Sequence, residues 1–165
     1  MRGEVATWVA QMIEMHESQA PVLEVGSFDV NGSIRSLFPQ DGYVGLDMRA
    51  GAGVDLVVDI LDMPKKLRRK FNTVVTTETL EHITEPWRAV EQMYAALRPG
   101  GLFIGTWVFA WGIHEYPSDY WRGTPAGFDY LLRRVGFENI QVVTQGGDEA
   151  HPIGIWAVAR KKGLS

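Results

Sequence analysis

An α/β fold is predicted by three features of this 165-residue sequence. Short apolar runs ending in a small or acidic residue alternate with segments whose apolar residues recur at helical spacing. The first such unit, residues 22–47, reads as strand, loop, helix and strand in turn. Its loop lies at the carboxyl end of the first strand, where backbone N–H groups can approach a ligand. Asp47 closes the second strand, where an acid can hold both hydroxyls of a ribose. A dinucleotide fingerprint would place glycines where Phe28 and Val30 stand. On this stretch, nucleotide binding and an ordinary βαβ turn therefore both stay open.

Bulk composition narrows the class. The length suits one domain spanning 1–165 with a sizeable core. Hydrophobic residues make up 45% and charged residues 22%, as in a globular protein. Cysteine is absent, which excludes a disulfide framework and any thiolate ligand or nucleophile. Acidic and polar residues interrupt the apolar positions of the first dozen residues, unlike a secretion signal. No apolar run approaches membrane-spanning length. The net charge of −4 argues against non-specific nucleic-acid binding. The expectation is a cytoplasmic protein.

Residues 4–17 carry Val5, Trp8, Val9, Met12 and Ile13, the stripe of an amphipathic helix, with Glu4, Gln11, Glu14 and Glu17 on its wet face. This N-terminal helix is expected to pack on the sheet or cap its ligand end. In the opening unit, Val22, Leu23 and Val25 form a strand that ends in Gly26. A helix is then expected from near Asn31, with Ile34, Leu37 and Phe38 on one face. A turn at 39–42 leads to the strand 43–47. The loop 49–53 leads to an apolar run, 54–58, that ends at Asp59. There Asp59 can accept from an exocyclic amine such as adenine N6, or cap the following segment. Residues 65–70 hold five basic residues in six, read as the solvated end of a short helix.

The β-branched run 71–76 reads as a buried strand opening into Thr77 and the turn beyond it. Thr84-Glu85-Pro86 starts a helix carrying Trp87, Val90, Tyr94 and Leu97, stopped by residues 98–101. Residues 102–108 form the next strand. Residues 109–123 are too polar and irregular for a core element and too aromatic for a solvent loop, which marks a functional segment. Thr124-Pro125 starts a helix with Phe128, Leu131, Leu132 and Val135, closed by Gly136. Two strands, near 137–143 and 153–159, finish the chain as an antiparallel pair joined through Gly146-Gly147-Asp148.

The strings L-E-V-G-S at 23–27, Y-V-G-L-D at 43–47, V-V-D-I at 57–60, T-E-T-L-E-H at 77–82 and L-R-P-G-G at 97–101, with Gly136-Phe137, occur in this order. In them the chain resembles the class I S-adenosylmethionine-dependent methyltransferases, particularly small bacterial ones of the ubiquinone-biosynthesis-like group, over 21–159. The resemblance implies a Rossmann-like three-layer sandwich around a seven-stranded, mostly parallel sheet whose last strand is antiparallel. It implies S-adenosyl-L-methionine as cofactor. Glu24, Gly26 and Ser27 would lie against the methionine moiety, with Thr77 contacting it through its backbone. Asp47 would hold the ribose, Met48 would neighbour the adenine, and Asp59 and Ile60 would meet its edge. The departure from the family is the loop, where Phe28 and Val30 replace further glycines. Which of Phe28, Asp29 and Asn31 contacts the cofactor stays open. A cofactor without phosphates needs no complete phosphate-binding loop, and its sulfonium favours aromatic faces over lysines.

Methyl transfer from a sulfonium is an in-line displacement governed by positioning, and a general base helps where the acceptor is a hydroxyl or protonated amine. The candidate bases are His114, then Glu115 and Asp119. Histidine titrates in the useful range. Trp111, Tyr116, Tyr120 and Trp121, together with Trp107, are expected to wall the acceptor pocket, and Arg122 to recognise an anionic group on the acceptor. The expected acceptor offers an oxygen or nitrogen, less so a carbon, on a small molecule or glycan intermediate. With no cap domain in the sequence, oligomerisation could supply a missing wall. Glu78, Glu81 and His82 would share one face of a helical turn and could chelate a divalent metal. That pattern, with a later histidine, is similar to the metal site of small-RNA 2′-O-methyltransferases. It also occurs where it only shapes an active-site floor, and no metal is assigned from it. Two other classes compete: a nicotinamide-dependent oxidoreductase, since Asp47 also suits an NAD ribose, and a non-catalytic cofactor-binding protein.

Overall fold

The structure, a computed structural model, describes residues 3–114 and 118–164. Its strands are β1 (Val22–Val25), β2 (Tyr43–Asp47), β3 (Leu56–Val57), β4 (Phe71–Thr77), β5 (Leu97–Val108), β6 (Phe137–Gln145) and β7 (Gly154–Lys161). They form one seven-stranded sheet in the order β3-β2-β1-β4-β5-β7-β6. Neighbours from β3 to β5 pair in parallel, and β7 runs antiparallel between β5 and β6. The chain leaves β1 toward one edge and returns to β4 on its other side. That reversal opens a crevice at the strands' carboxyl ends, where ligands of such sheets bind.

Alternation along the strands divides the core between the two faces of the sheet. On one face, Val22, Val75, Ile104, Trp156 and Val158 lie under α1 (Gly3–Met15), which buries Val5, Trp8, Val9 and Met12. Trp8 and Trp156 meet with ring centroids 5.0 Å apart. On the other face, Leu23, Val74, Phe103 and Ala157 pack with α2 (Pro86–Ala96) and α3 (Pro125–Val135). Phe103 and Phe128 are fully buried there, edge to face at 6.2 Å. Each such side chain stabilises the fold by roughly 1.5–3 kcal/mol relative to exposure.

The helix ends follow their residues. Thr124 accepts from the Gly127 amide at 3.0 Å, Pro125 opens α3, and Gly136 closes it at φ 99°. Pro86 likewise opens α2. Among the described residues no helix is long and apolar enough to cross a membrane.

Several expected elements are shorter or displaced. The helix expected from Asn31 is a single 3-10 turn, Arg35–Leu37. Asn31, Gly32 and Ser33 are weak helix formers. Asp29 instead accepts from the Gly32 amide at 2.7 Å and Ser33 from the Arg35 amide at 3.0 Å, holding the segment as turns. Ile34 and Phe38 are nevertheless buried against the α1 face. The N-terminal helix ends at Met15 rather than 17, where Glu17 takes φ 50°. The strand expected at 54–58 pairs only at Leu56–Val57, and the basic segment makes a 3-10 turn, Lys65–Leu67. β5 begins at Leu97 rather than 102, because pairing jumps from Phe71 with Leu97 to Thr73 with Leu102 and residues 98–101 loop out between.

Candidate active site

A cleft of about 380 Å³ lies along the carboxyl ends of β1 to β5. Its floor crosses the sheet in spatial order: Asp59 and Ile60 beyond β3, Asp47 and Met48 at β2, Gly26 and Ser27 at β1, Thr77 ending β4, and Val108 ending β5. Glu24 reaches it from within β1. The eight residues singled out for a cofactor therefore line one continuous surface.

Each strand end is shaped by local bonds. Gly26 turns the chain out of β1 at φ 80°, and a Cβ there would stand 2.2 Å from Thr79 Oγ1. The Gly26 and Ser27 amides both donate to the Leu46 carbonyl, at 2.9 and 3.2 Å. They tie the loop to β2 rather than pointing into the cleft. Asp47 accepts from the Phe28 amide at 3.3 Å and the Arg49 amide at 3.0 Å. A carboxylate has about four acceptor positions, so capacity for two hydroxyls remains. Asp59 accepts from the Leu61 amide at 2.9 Å and also lines the cleft, so its capping and ligand-facing readings coexist.

Glu24 is almost wholly buried, and its carboxylate accepts from the Tyr43 hydroxyl at 2.5 Å. Burial raises its pKa to about 7, opposed by the Tyr43 hydrogen bond and the Arg35 charge. The substituted glycine loop also has a packing explanation. The Phe28 ring lies over Gly51, where any Cβ would come within 1.9 Å of it, and the Arg49 guanidinium sits 5.4 Å above the ring. Phe28 and Asn31 line the cleft, whereas Asp29 does not.

The β4–β5 end is polar. Because Leu80–His82 is a 3-10 turn entered from Glu78 at φ 47°, Glu78, Glu81 and His82 do not form the single helical face expected of them. The group brought together is instead Glu81, His82 and His114, whose ligand-type atoms lie within 4.8 Å of one another. Glu81 Oε1 stands 3.9 Å from His82 Nε2 and 3.7 Å from His114 Nε2. The Glu81 side chain is fully buried, and neither oxygen has a hydrogen-bond partner among the described residues. Burial raises its pKa to about 8, and burial also lowers that of His82. Both imidazoles line the cleft and meet edge to face, 4.8 Å between centroids.

The described residues of the 109–123 segment tie it to this turn. The Tyr120 and Trp121 amides donate to the Glu81 carbonyl at 2.7 and 3.3 Å, and His82 Nδ1 lies 2.8 Å from the Ser118 carbonyl. The His114 amide donates to Asp119 at 2.9 Å. Arg122 grips both Asp119 oxygens, with Nη2 to Oδ2 at 2.8 Å, and donates to the Trp121 and Trp111 carbonyls. This revises two expectations. The Arg122 hydrogen bond holds the Asp119 carboxyl near a pKa of about 2, which makes Asp119 an anchor for the segment and a poor base. Arg122 is itself occupied by the protein and not turned to an acceptor.

Among the described residues, only part of the expected aromatic wall is present. Trp111 lines the cleft, but Tyr120 and Trp121 do not. The Trp121 indole instead donates to the Thr84 carbonyl at 3.3 Å and packs on Trp87. Trp107 is buried on β5 against Phe128. Glu115 and Tyr116 lie outside the described residues. Thr79 and Ile83 line the cleft without having been singled out. Their place directly after a strand that carries Thr77 at its end was the available signal.

Residues 1–142 match the profile of a family described as a methyltransferase domain. The chain belongs to this methyltransferase family. Its members are enzymes that use S-adenosylmethionine. Among curated proteins none matches the methyltransferase in sequence. Among solved structures it is similar to the Burkholderia thailandensis 1,6-didemethyltoxoflavin-N1-methyltransferase with bound 1,6-didemethyltoxoflavin and S-adenosylhomocysteine. The TM-score is 0.76 at 16% identity, over 96% of this chain and 78% of that one. The Bradyrhizobium japonicum N-methyltransferase NodS, also with S-adenosylhomocysteine, gives 0.69 at 17% identity, over 96% and 86%. The [4+2]-cyclase SpnF gives 0.71 at 16%, over 96% and 82%. At these identities the methyltransferase shares a fold with each, and its chemistry is argued from its own site.

Proposed function

We propose that this methyltransferase binds S-adenosylmethionine across the strand ends and transfers its methyl group to an oxygen or nitrogen of a small-molecule or glycan-type acceptor. The observation that carries the reading is the ordered floor of the cleft. Asp59 and Ile60 sit where the adenine edge would lie, Asp47 where the ribose would, with Met48 beside the base. Glu24, Gly26, Ser27 and Thr77 sit where the methionine moiety would. That polarity directs the sulfonium toward β4 and β5. Among the described residues no lysine lines this cleft, and Trp111 offers an aromatic face at that end.

The acceptor enters between Trp111 and His114. Its lone pair attacks the methyl carbon as the carbon–sulfur bond breaks, leaving S-adenosylhomocysteine as a neutral thioether. Holding the nucleophile, carbon and sulfur collinear supplies most of the acceleration. The acceptor proton leaves at the polar end formed by Glu81, His82 and His114. The net charge of −4 supports a small acceptor over nucleic acid. The test is formation of S-adenosylhomocysteine with an acceptor panel, for wild type and His114→Ala. The expected loss of turnover in the variant is about 10²–10⁴-fold. Unchanged turnover would remove His114 from the reaction.

A further inference from the structure

We propose that Glu81, His82 and His114 hold a first-row divalent metal ion at the acceptor end of the cleft, and that the ion takes a hydroxyl oxygen of the acceptor. The metal site stands on the geometry of three side chains. The role toward the acceptor rests on the methyl-transfer reading.

Both imidazoles are fixed in one tautomer. His82 Nδ1 lies 2.8 Å from the Ser118 carbonyl, and His114 Nδ1 lies 3.1 Å from the Gly112 carbonyl and 3.3 Å from Asp119 Oδ2. Carbonyl and carboxylate oxygens only accept, so both Nδ1 atoms carry the proton and both Nε2 lone pairs are available. Those are the atoms that face Glu81 Oε1. A histidine ligand is ordinarily fixed in this way, its other nitrogen donating to a carbonyl or carboxylate. Asp119 is in turn held by Arg122, which completes a supporting layer behind His114.

Glu81 itself favours a cation at this point. A fully buried carboxyl group with no hydrogen-bond partner among the described residues is costly to maintain. The His82 and His114 nitrogens that face it present lone pairs and can offer it no proton. A cation at their centre would satisfy all three groups at once. Ligand atoms about 2.0–2.2 Å from a tetrahedral ion stand roughly 3.3–3.5 Å from one another. The 3.7 and 3.9 Å spacings to Glu81 require a few tenths of an ångström of closure, and the remaining spacing, between the two histidine nitrogens and within 4.8 Å, requires up to about 1.3 Å, a shift that a turn of one imidazole supplies.

The three groups also converge from one side. Glu81 approaches from the interior, and the imidazoles form the cleft wall. Three protein ligands on one side leave a position open toward the cofactor, the arrangement of a catalytic ion and not of a closed structural one. Two imidazoles and one carboxylate suit zinc, cobalt, iron or manganese better than magnesium or calcium. A hydroxyl bound at the open position is acidified by the ion. Its O–H bond breaks, the proton passes to solvent at the open side, and the oxygen attacks the methyl carbon as the sulfur leaves. His114 then serves as a ligand.

The test uses the full chain stripped with chelator, dialysed and titrated with ZnCl₂, CoCl₂ and MnCl₂, with cobalt followed by visible absorption. S-adenosylhomocysteine binding is measured in parallel. The expected result is one ion per chain, weakened at least about tenfold in both Glu81→Gln and His114→Ala. His114 lies on an irregular, half-buried segment, so that variant stays informative if Glu81→Gln does not fold. Wild type that binds S-adenosylhomocysteine but no stoichiometric ion would overturn the metal site and leave the methyl-transfer reading intact. An ion bound equally by both variants would also overturn it. One ion with no S-adenosylhomocysteine bound would support the site and overturn its role in methyl transfer.

Discussion

Replacing Gly26 with alanine probes the point where β1 meets the cleft. The added Cβ would stand 2.2 Å from Thr79 Oγ1, 2.5 Å from its Cγ2 and 2.9 Å from its Cβ. Thr79 does not swing away without cost, because its hydroxyl donates to the Thr77 carbonyl at 2.9 Å. The backbone at φ 80° costs a non-glycine residue about 1–2 kcal/mol. Forcing two groups into one volume costs a further 1–3 kcal/mol or so. Gly26→Ala should therefore lose about 2–5 kcal/mol in urea denaturation, with the midpoint shifted and the slope unchanged. Thr79→Ala removes the two nearest clashing atoms, so combining it with Gly26→Ala should recover about 1 kcal/mol or more of the steric part. Strict additivity of the two changes, or a neutral Gly26→Ala, would refute the close approach of these loops.

Asp47→Ala should weaken S-adenosylhomocysteine binding by at least about tenfold, since each hydrogen bond to a charged group contributes about 1.5–3 kcal/mol; calorimetry reads it directly. Arg122→Ala should release the segment, raising protease cleavage within 109–123 and lowering stability by about 1.5–3 kcal/mol. Unaltered cleavage would show that the Asp119–Arg122 pair does not hold the segment. Glu24, whose pKa rises from 4.5 to about 7 on burial, favours folding in its neutral form. Its contribution is fully present below about pH 4.5 and is lost as pH rises through about 7. The urea midpoint of wild type should fall across that window, and Glu24→Gln should flatten the fall.

The sheet was legible where residue type and position agree. The runs at 22–25, 43–47 and 71–77 are apolar or β-branched and end in small, acidic or hydroxylated residues, so both the strands and their ligand-facing ends could be placed. Helix α3 was bounded by Thr124 and Gly136, whose conformations admit few alternatives. The stripe Ile34, Leu37, Phe38 misled because burial was correct and conformation was not. Three apolar contacts at helical spacing fit a 3-10 turn as well when polar side chains bind the neighbouring amides. The polar end of the site was the least legible. Which carboxylate joins the histidines depends on a turn type, and whether Arg122 faces a ligand depends on Asp119 lying three residues before it. Candidate aromatics were similarly sorted by the pleat of β5, which turns Trp107 into the core, while Trp111 beyond the strand reaches the cleft.

The most direct measurement is a calorimetric titration of the chain with S-adenosylmethionine, S-adenosylhomocysteine and NAD in parallel. Micromolar binding of the first two and none of NAD is predicted, with Asp47→Ala weakening both. Binding of NAD alone, or of none of the three, would contradict the assignment of this cleft to a methyl donor.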